Sequence, residues 1–184
     1  MNKKNSIKHK IVTSKYFELS GLLLLIILYS CIVQTKSGNF LTIGNIHNVL
    51  KEIVVYGILS CALAFPLING TFDLSIESIA ALGGTCCGLL VKDGLYGLKT
   101  NLPAAILISV IICCVVGAVN GLLVAFTSID PFIVTLGSQV AVRGLVYIVG
   151  NNTAVTGLPD SFKALSNKPI LGVSMSIWIM ILVF

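Results

Sequence analysis

The stretch Asn69-Gly-Thr-Phe-Asp-Leu-Ser-Ile-Glu-Ser78 places two carboxylates, Asp73 and Glu77, between two long apolar runs. Residues 53–68 precede it and residues 79–91 follow it. A charge near the centre of a membrane-spanning helix costs roughly 2.5–3.5 kcal/mol on insertion scales. Position alone leaves two interpretations open: a short hydrated turn at the membrane surface, or a buried site with a partner, an interface or a water-filled path.

The composition places the chain among membrane proteins. It is 56% hydrophobic and 10% charged, with a mean hydropathy of +1.00, which excludes an ordinary soluble domain. A helix needs roughly 20 residues to cross about 30 Å of hydrocarbon. We therefore predict an all-α, polytopic transmembrane helix bundle whose sixth span is cut off by the end of the chain. The apolar runs that reach or approach the required length are 19–33, 53–68, 76–91, 103–126, 131–149 and 170–184.

The predicted organisation is a polar cytoplasmic tail over residues 1–18, followed by a membrane domain over residues 19–184. Five lysines crowd the tail and favour a cytoplasmic N-terminus. Alternate threading places six later lysines outside, so the total count does not support this orientation. The first apolar run resembles a secretory signal but lacks a clear small-x-small cleavage site, and we interpret it as a retained helix. Residues 40–50 are expected to lie in the outer interface as a short amphipathic segment, and residues 151–168 to form an external loop.

The sequence shows no catalytic or metal-binding pattern. It has neither a Ser/His/Asp set nor a His-Glu-x-x-His motif, and Gly97-Leu-Lys-Thr100 lacks the adjacent Gly-Lys pair of a phosphate-binding loop. The cysteines lie within apolar runs, where they act as small hydrophobes, while His9 and His47 lie elsewhere. The net charge of +5 comes without a basic face interleaved with aromatic residues, so nucleic-acid binding is not indicated. We expect no enzymatic activity, no metal site and no cofactor bound by this chain.

Polar residues inside the apolar runs suggest a solute pathway. The Asn69-Gly70 pair breaks a helix, and backbone groups freed at membrane depth must be satisfied by protein or water. Asn120 lies deep in the fourth run, where an interhelical hydrogen bond and a ligand contact are both open interpretations. Arg143 lies about three turns into the fifth run, where snorkelling, a structural ion pair and a cavity-facing position are open.

Small residues recur four positions apart in two of the predicted spans. The patterns are Gly84-x-x-x-Gly88 in the third run and Gly117-x-x-x-Gly121 in the fourth. Such a stripe lets another helix approach closely in lipid. Packing within the chain is the favoured interpretation, with a specific dimer as the alternative.

Three ordered segments resemble the landmarks of ribose-type ABC transporter permeases. Residues 68–78 resemble that family's Gly-Gly-Ile-Asp-Leu-Ser-Val-Gly-Ser motif. Asn120-Gly-Leu-Leu-Val124 and Pro131-Phe-Ile-Val-Thr-Leu-Gly137, followed by Arg143-Gly144, resemble the next two landmarks. The similarity runs from about residue 40 to the end of the chain. The matching positions are Gly70, Asp73, Leu74, Ser75, Ser78, Asn120, Gly121, Pro131, Phe132, Thr135, Gly137, Arg143 and Gly144.

Two positions depart from the family pattern, because Thr71 and Glu77 stand where glycines are usual. Glu77 lies one helical turn from Asp73, and like charges at that spacing repel slightly. A shared proton or a basic partner would relieve this repulsion. Arg143 is the candidate partner for either Asp73 or Glu77.

The resemblance implies the membrane-spanning permease subunit of a bacterial ABC importer for a monosaccharide such as ribose. It also implies a second copy of the permease, a cytoplasmic ATPase that binds ATP and Mg²⁺, an extracellular sugar-binding protein and a multi-pass position in the bacterial cell membrane. The alternatives are a permease for a branched-chain amino acid, a nucleoside or an autoinducer sugar, and a non-transporting membrane fragment. Family members are nearly twice as long, so we expect the 184 residues alone not to support ATP-driven uptake. The predicted substrate-pathway residues are Asn69, Asp73, Asn120, Thr135 and Arg143.

Overall fold

Long apolar sequences form the helices that dominate the structure. The structure is a computed structural model that describes residues 15–94 and 97–184, with side chains from residue 19. Two two-residue strands, β1 Pro169–Ile170 and β2 Val173–Ser174, pair antiparallel. The predicted all-α bundle is confirmed apart from this small hairpin. The helices are α1 Lys15–Ser37, α2 Ile43–Ile68, α3 Ile76–Val91, α4 Leu102–Phe126, α5 Pro131–Val149, α6 Asp160–Asn167 and α7 Met175–Val183.

Four helices within the described ranges are long and apolar enough to cross a membrane. They are α2, α4, α5 and the part of α1 over Leu19–Ser37. Helix α3 has 16 residues, which gives about 24 Å at 1.5 Å per residue, less than the hydrocarbon thickness of about 30 Å. The long helices leave many large apolar side chains exposed, as expected for surfaces that meet lipid. Two of the six predicted spans are therefore shorter than a full membrane crossing. One is α3, and the other is α7, which has 9 residues.

The chain divides into two compact units, residues 1–50 and residues 51–184. In the first unit, Gln34 closes the turn that follows α1. Its Oε1 accepts a hydrogen bond from the Leu41 N–H at 2.7 Å, and its Nε2 donates to the Gly38 carbonyl at 3.0 Å. The amide thus satisfies backbone groups left open at the helix end.

Two predictions for the N-terminal part are adjusted by the helix bounds. Helix α1 begins at Lys15, so residues 15–18 of the predicted tail are helical, whereas residues 1–14 lie outside the described residues. Residues 43–50 of the predicted interfacial segment form the first part of α2, which runs unbroken from Ile43 to Ile68, and their position in the outer interface stays a prediction. Near the start of this helix, the side-chain amide of Asn45 donates a hydrogen bond to the Phe40 carbonyl at 2.7 Å.

Helix α3 is the centre of the second unit and packs against both α4 and α5. Its buried Cys87 and Val91 form a small apolar core with Ala105 of α4. Helix α4 lies close to Gly83 of α3, where an added Cβ would lie 2.6 Å from the Cys113 sulfur. Helix α3 therefore fixes the signature segment, residues 69–78, against α4 and α5.

The two glycine stripes do not make the close helix contacts that the sequence predicts. An added Cβ at Gly84, Gly117 or Gly121 would meet no atom of the described residues within 4 Å, so the predicted packing within the chain is not seen at these three positions. Gly88 instead meets the loop residue Val155, at 3.1 Å from its added Cβ. Neighbouring helix positions point about 100° apart, and the register of α3 turns Gly83 rather than Gly84 toward α4.

Residues 97–100 return along the end of α3. The Thr100 N–H donates to the Leu90 carbonyl at 2.7 Å. Gly97 makes the return possible, since a Cβ at this position would lie 2.1 Å from the Lys92 carbonyl oxygen. The glycine is needed here for a close backbone approach.

The C-terminal part of the described chain starts its last helix later than the sequence predicts. The predicted loop over residues 151–168 contains the short helix α6, and the last span begins at Met175 rather than at residue 170. The cause is the hairpin, whose turn places Leu171 and Gly172 at φ values of +52° and +80°. Trp178 anchors it by donating Nε1–H to the Ile170 carbonyl at 3.0 Å.

Candidate functional site

The signature segment, residues 69–78, begins with a tight turn at the end of α2. The Pro66 carbonyl accepts the Asn69 N–H at 3.0 Å, and it accepts both the N–H and the hydroxyl of Thr71, at 3.0 and 3.1 Å. Gly70 has a φ of +74°, a conformation that costs glycine little. Backbone groups at the helix end are thus satisfied by hydrogen bonds within the protein.

Asp73 and Ser75 organise the start of α3. Asp73 Oδ1 accepts hydrogen bonds from the Ser75 N–H at 2.7 Å and from its hydroxyl at 2.6 Å. The Ser75 hydroxyl oxygen in turn accepts from Asn120 Nδ2 at 2.9 Å, which links α3 to α4. Ser75 and Ser78 are fully buried, and Asn120 is 7% exposed. The interhelical hydrogen bond, one of the two interpretations of Asn120, is confirmed.

Thr135 joins α5 to the same segment. It is 5% exposed, and its hydroxyl lies 3.2 Å from the Phe72 carbonyl and 2.9 Å from the Pro131 carbonyl. Pro131 begins α5, where its missing N–H costs little. Asp130 caps the helix by accepting the Phe132 N–H at 2.8 Å. The start of α5 is thereby fixed against the signature segment.

Arg143 of α5 forms an ion pair with Glu77 of α3. Its Nη2 donates a hydrogen bond to Glu77 Oε1. The Arg143 side chain is 35% exposed and that of Glu77 is 62% exposed. The structure selects Glu77 over Asp73 as the partner, since the described residues show no ion pair between Arg143 and Asp73. The positive charge offsets the repulsion between the two carboxylates.

The signature segment contains two of the five predicted pathway residues, Asn69 and Asp73, and the other three contact it from α4 and α5. Asp73, Asn120 and Thr135 bond to it or within it, and Arg143 reaches it through Glu77. Asn69 is exposed, and its side chain makes no hydrogen bond to the described part of the chain. Whether all five line a solute pathway stays a prediction.

A cavity of about 240 Å³ lies between α2, the signature segment and α5. Asp73 and Glu77 line it together with Tyr56 and Gln139, two residues that the sequence analysis did not select. Gln139 lies one turn before Arg143 in the same apolar run, so its polarity at membrane depth was the available signal. A second cavity of about 500 Å³ between α4 and α5 includes Asn120 but is lined almost wholly by apolar side chains.

The arrangement offers hydrogen-bonding groups and an ion pair, which suit the recognition of a solute. Ser75, the hydroxyl nearest a carboxylate, is fully buried and forms no hydrogen bond to a histidine in the described residues. Residues 15–94 and 97–184 hold no group of three His, Cys, Asp or Glu that could bind a metal ion.

Comparisons with known proteins give a family for the chain. The family model described as "Branched-chain amino acid transport system / permease component" matches residues 45–184. The chain belongs to this permease family. It is therefore a multi-pass membrane protein of a transport system, and the resemblance predicted from the three ordered motifs is confirmed.

Several curated relatives of the permease are sugar transport proteins. The chain is 32% identical over 171 residues to the ribose import permease protein RbsC of Escherichia coli K12, covering 91% of the chain and 51% of that relative. It is 31% identical over 159 residues to the L-arabinose ABC transporter permease protein AraH of Azospirillum brasilense, covering 86% and 45%. It is 32% identical over 122 residues to the xylose transport system permease protein XylH of Escherichia coli K12, covering 66% and 30%. The chain thus spans about half the length of the relatives it matches, and no solved structure gave a significant match.

Proposed function

We propose that this permease is the membrane-spanning subunit of a bacterial ABC importer for a monosaccharide such as ribose. The observation that carries the proposal is the convergence of three distant sequence landmarks on one segment. Ser75 bonds to Asn120, Phe72 to Thr135, and Glu77 pairs with Arg143. The same landmarks resemble those of ribose-type permeases, and relatives named for ribose, arabinose and xylose support the choice of a pentose.

The proposed subunit performs no covalent chemistry of its own. ATP binding and hydrolysis, with Mg²⁺, take place on a cytoplasmic ATPase partner and bias a pair of permeases between inward-open and outward-open states. A sugar-binding protein outside the cell delivers the substrate. The protein lies in the bacterial cell membrane with its N-terminus in the cytoplasm, as the lysines of residues 1–15 favour.

In this function the hydrogen-bonded network keeps an irregular segment in place at membrane depth. Ser75 and Ser78 are fully buried, so an unpaired hydroxyl or carbonyl there would carry its full desolvation penalty of about 1–3 kcal/mol. Asn120 and Thr135 supply partners from two other helices. The segment can then present Asp73 to a solute without unravelling the ends of α2 and α3.

A branched-chain amino acid is the second candidate substrate, and the ion pair favours it. An amino acid zwitterion requires one positive and one negative group, which Arg143 and Glu77 provide. These two charges already neutralise each other, whereas the remaining groups around the cavity are a carboxylate, an amide and hydroxyls. Such groups match sugar hydroxyls better, so we retain the sugar as the proposed substrate.

Deletion of the gene in its own host tests the proposed function. Initial uptake of ¹⁴C-labelled D-ribose, L-arabinose, D-xylose and leucine is measured in the parent and the deletion strain at low micromolar concentration. We expect uptake of at least one pentose to fall to the background rate while leucine uptake is unchanged. Loss of leucine uptake alone establishes the amino-acid alternative, and unchanged uptake of all four solutes contradicts both transport functions.

A further inference from the structure

The cavity beside the signature segment contains polar groups that the protein itself leaves unused. Asp73 Oδ1 accepts hydrogen bonds from Ser75, and Glu77 Oε1 accepts one from Arg143. Neither Asp73 Oδ2 nor Glu77 Oε2 accepts a hydrogen bond within the described residues. The Gln139 amide also has no hydrogen-bond partner there. The residues that line the cavity therefore carry two carboxylate oxygens and one amide that have no hydrogen-bond partner among the described residues.

The hydrogen-bonding groups and the size of the cavity suit a small, polyhydroxylated ligand. Arg143 neutralises Glu77, which leaves Asp73 as the single uncompensated charge among the three. Carboxylate oxygens accept strong hydrogen bonds from hydroxyl groups. The rings of Tyr56 and Phe72 also line the cavity and offer apolar surface to the C–H side of a sugar ring. At about 240 Å³ the cavity is smaller than the 300–1,000 Å³ typical of drug-sized ligands, as suits a small solute.

The two sides of the cavity are held in a fixed relation to each other. Gln139 lies one helical turn before Arg143 on α5, and Arg143 is bonded to Glu77 on α3. Asp73 is fixed by its two hydrogen bonds to Ser75. Preorganised groups lose less freedom on binding, so the cavity can discriminate between closely similar ligands.

We propose that this cavity is a hydroxyl-binding station for the transported sugar, in which Gln139, Asp73 Oδ2 and Glu77 Oε2 select the sugar by its hydroxyl pattern. The assignment rests on the proposed function, and it adds Gln139 and Glu77 as specificity-determining residues. A site that bonds a hydroxyl rejects an analogue lacking that hydroxyl, because its own polar groups are then left unpaired.

The test measures sugar binding directly, because uptake also depends on a binding protein. The protein is purified from its own gene into lipid nanodiscs, and saturation-transfer difference NMR gives the Kd for D-ribose, L-arabinose, D-xylose and 2-deoxy-D-ribose. We expect at least one pentose to bind, and Gln139→Met to raise its Kd roughly three- to tenfold, as loss of one neutral hydrogen bond predicts. Glu52→Gln, a polar change on α2 outside the cavity, should leave the Kd unchanged.

The outcomes separate this assignment from the proposed function. If the wild-type protein binds a pentose and Gln139→Met binds it equally well, the cavity assignment is overturned and the importer function stands. If no pentose binds although gene deletion abolishes pentose uptake, the assignment alone is again overturned. Absence of both binding and uptake overturns the two together. Should Gln139→Met fail to fold, Tyr56→Ala removes a ring that is 68% exposed and must weaken pentose binding as well.

Discussion

At the residue scale, Ser75 is the hub that converts three sequence motifs into one structure. Its hydroxyl donates to Asp73 and accepts from Asn120, so both hydrogen-bonding capacities are used in a fully buried position. The motif position could be predicted from sequence, whereas its partner could not. Asn120 lies 45 residues away, and only the packing of α4 on α3 brings the two together.

Removing the Ser75 hydroxyl should destabilise the protein by about 1–3 kcal/mol, because it leaves the buried Asn120 amide without its partner. The measurement is reversible unfolding of Ser75→Ala in mixed micelles. Ser109→Ala is the matched control, since the buried Ser109 hydroxyl has no partner among the described residues. Equal free energies of unfolding for the two variants would show that the Ser75–Asn120 bond contributes nothing.

The Glu77–Arg143 pair should show coupling that an Asp73–Arg143 pair lacks. Both side chains are partly exposed, so we expect a modest coupling energy, about 0.5–1 kcal/mol. A double-mutant cycle with Glu77→Gln and Arg143→Met measures it through the free energy of unfolding. The parallel cycle with Asp73→Asn is the control. A larger coupling energy in that cycle would show that Asp73, and not Glu77, is the partner of Arg143.

The exposed Asp93–Lys99 pair predicts a local pH dependence. The ammonium lies 2.6 Å from the carboxylate, and this hydrogen bond lowers the pKa of Asp93 and raises the pKa of Lys99. The stabilisation from Asp93 is present above its ordinary pKa and is lost as pH falls through the lowered value. The stabilisation from Lys99 is present below its ordinary pKa and is lost as pH rises through the raised value.

Lys99→Met should therefore move the pKa of Asp93 upward, toward the ordinary value for an aspartate. A ¹³C NMR titration of the labelled carboxyl groups provides the measurement. Lys92→Met serves as the control, because Lys92 is not a cause of the Asp93 shift. An unchanged pKa of Asp93 in Lys99→Met would contradict the pairing.

At the element scale, the apolar runs predicted the helices, whereas the glycine stripes did not predict which helix positions are in contact. Hydrophobic length alone gives α4 and α5 nearly to the residue, because few other structures satisfy a long apolar backbone in lipid. The face that each helix turns to its neighbour depends on register, which a small-residue stripe does not specify. Helix α3 consequently approaches α4 at Gly83, one position away from the predicted stripe.

Two adjacent glycines provide the test of this register. Gly83→Ala places a methyl group 2.6 Å from the Cys113 sulfur and should cost about 1–3 kcal/mol through overpacking. Gly84→Ala meets nothing within 4 Å and should be neutral or stabilising by up to about 1 kcal/mol, from helix propensity alone. The free energies of unfolding of the two variants show which glycine faces α4. Adding Cys113→Ala to Gly83→Ala should restore part of the lost stability. A larger cost for Gly84→Ala would reverse the register.

At the scale of the whole molecule, the order of the motifs identified the family better than composition could. Composition indicates only a membrane protein, whereas the ordered segments indicate a permease. The family model that matches residues 45–184 confirms the permease family. Gln139 and Tyr56 escaped prediction because the cavity they line is made by helices distant in sequence. Arg143 could be named in advance as a partner for Asp73 or Glu77, because a buried charge needs an opposite charge, but only the structure selects Glu77.

Uptake by a strain carrying the chromosomal change Asp73→Asn tests the central claim most directly. Asparagine keeps an oxygen that can accept both hydrogen bonds from Ser75, so the turn is preserved while the charge is removed. With equal protein in the membrane by immunoblot, and with Glu52→Gln as the control strain, we expect pentose uptake to fall at least tenfold, corresponding to about 1.4 kcal/mol. Pentose uptake at the wild-type rate would contradict the account and favour a membrane protein with no transport role.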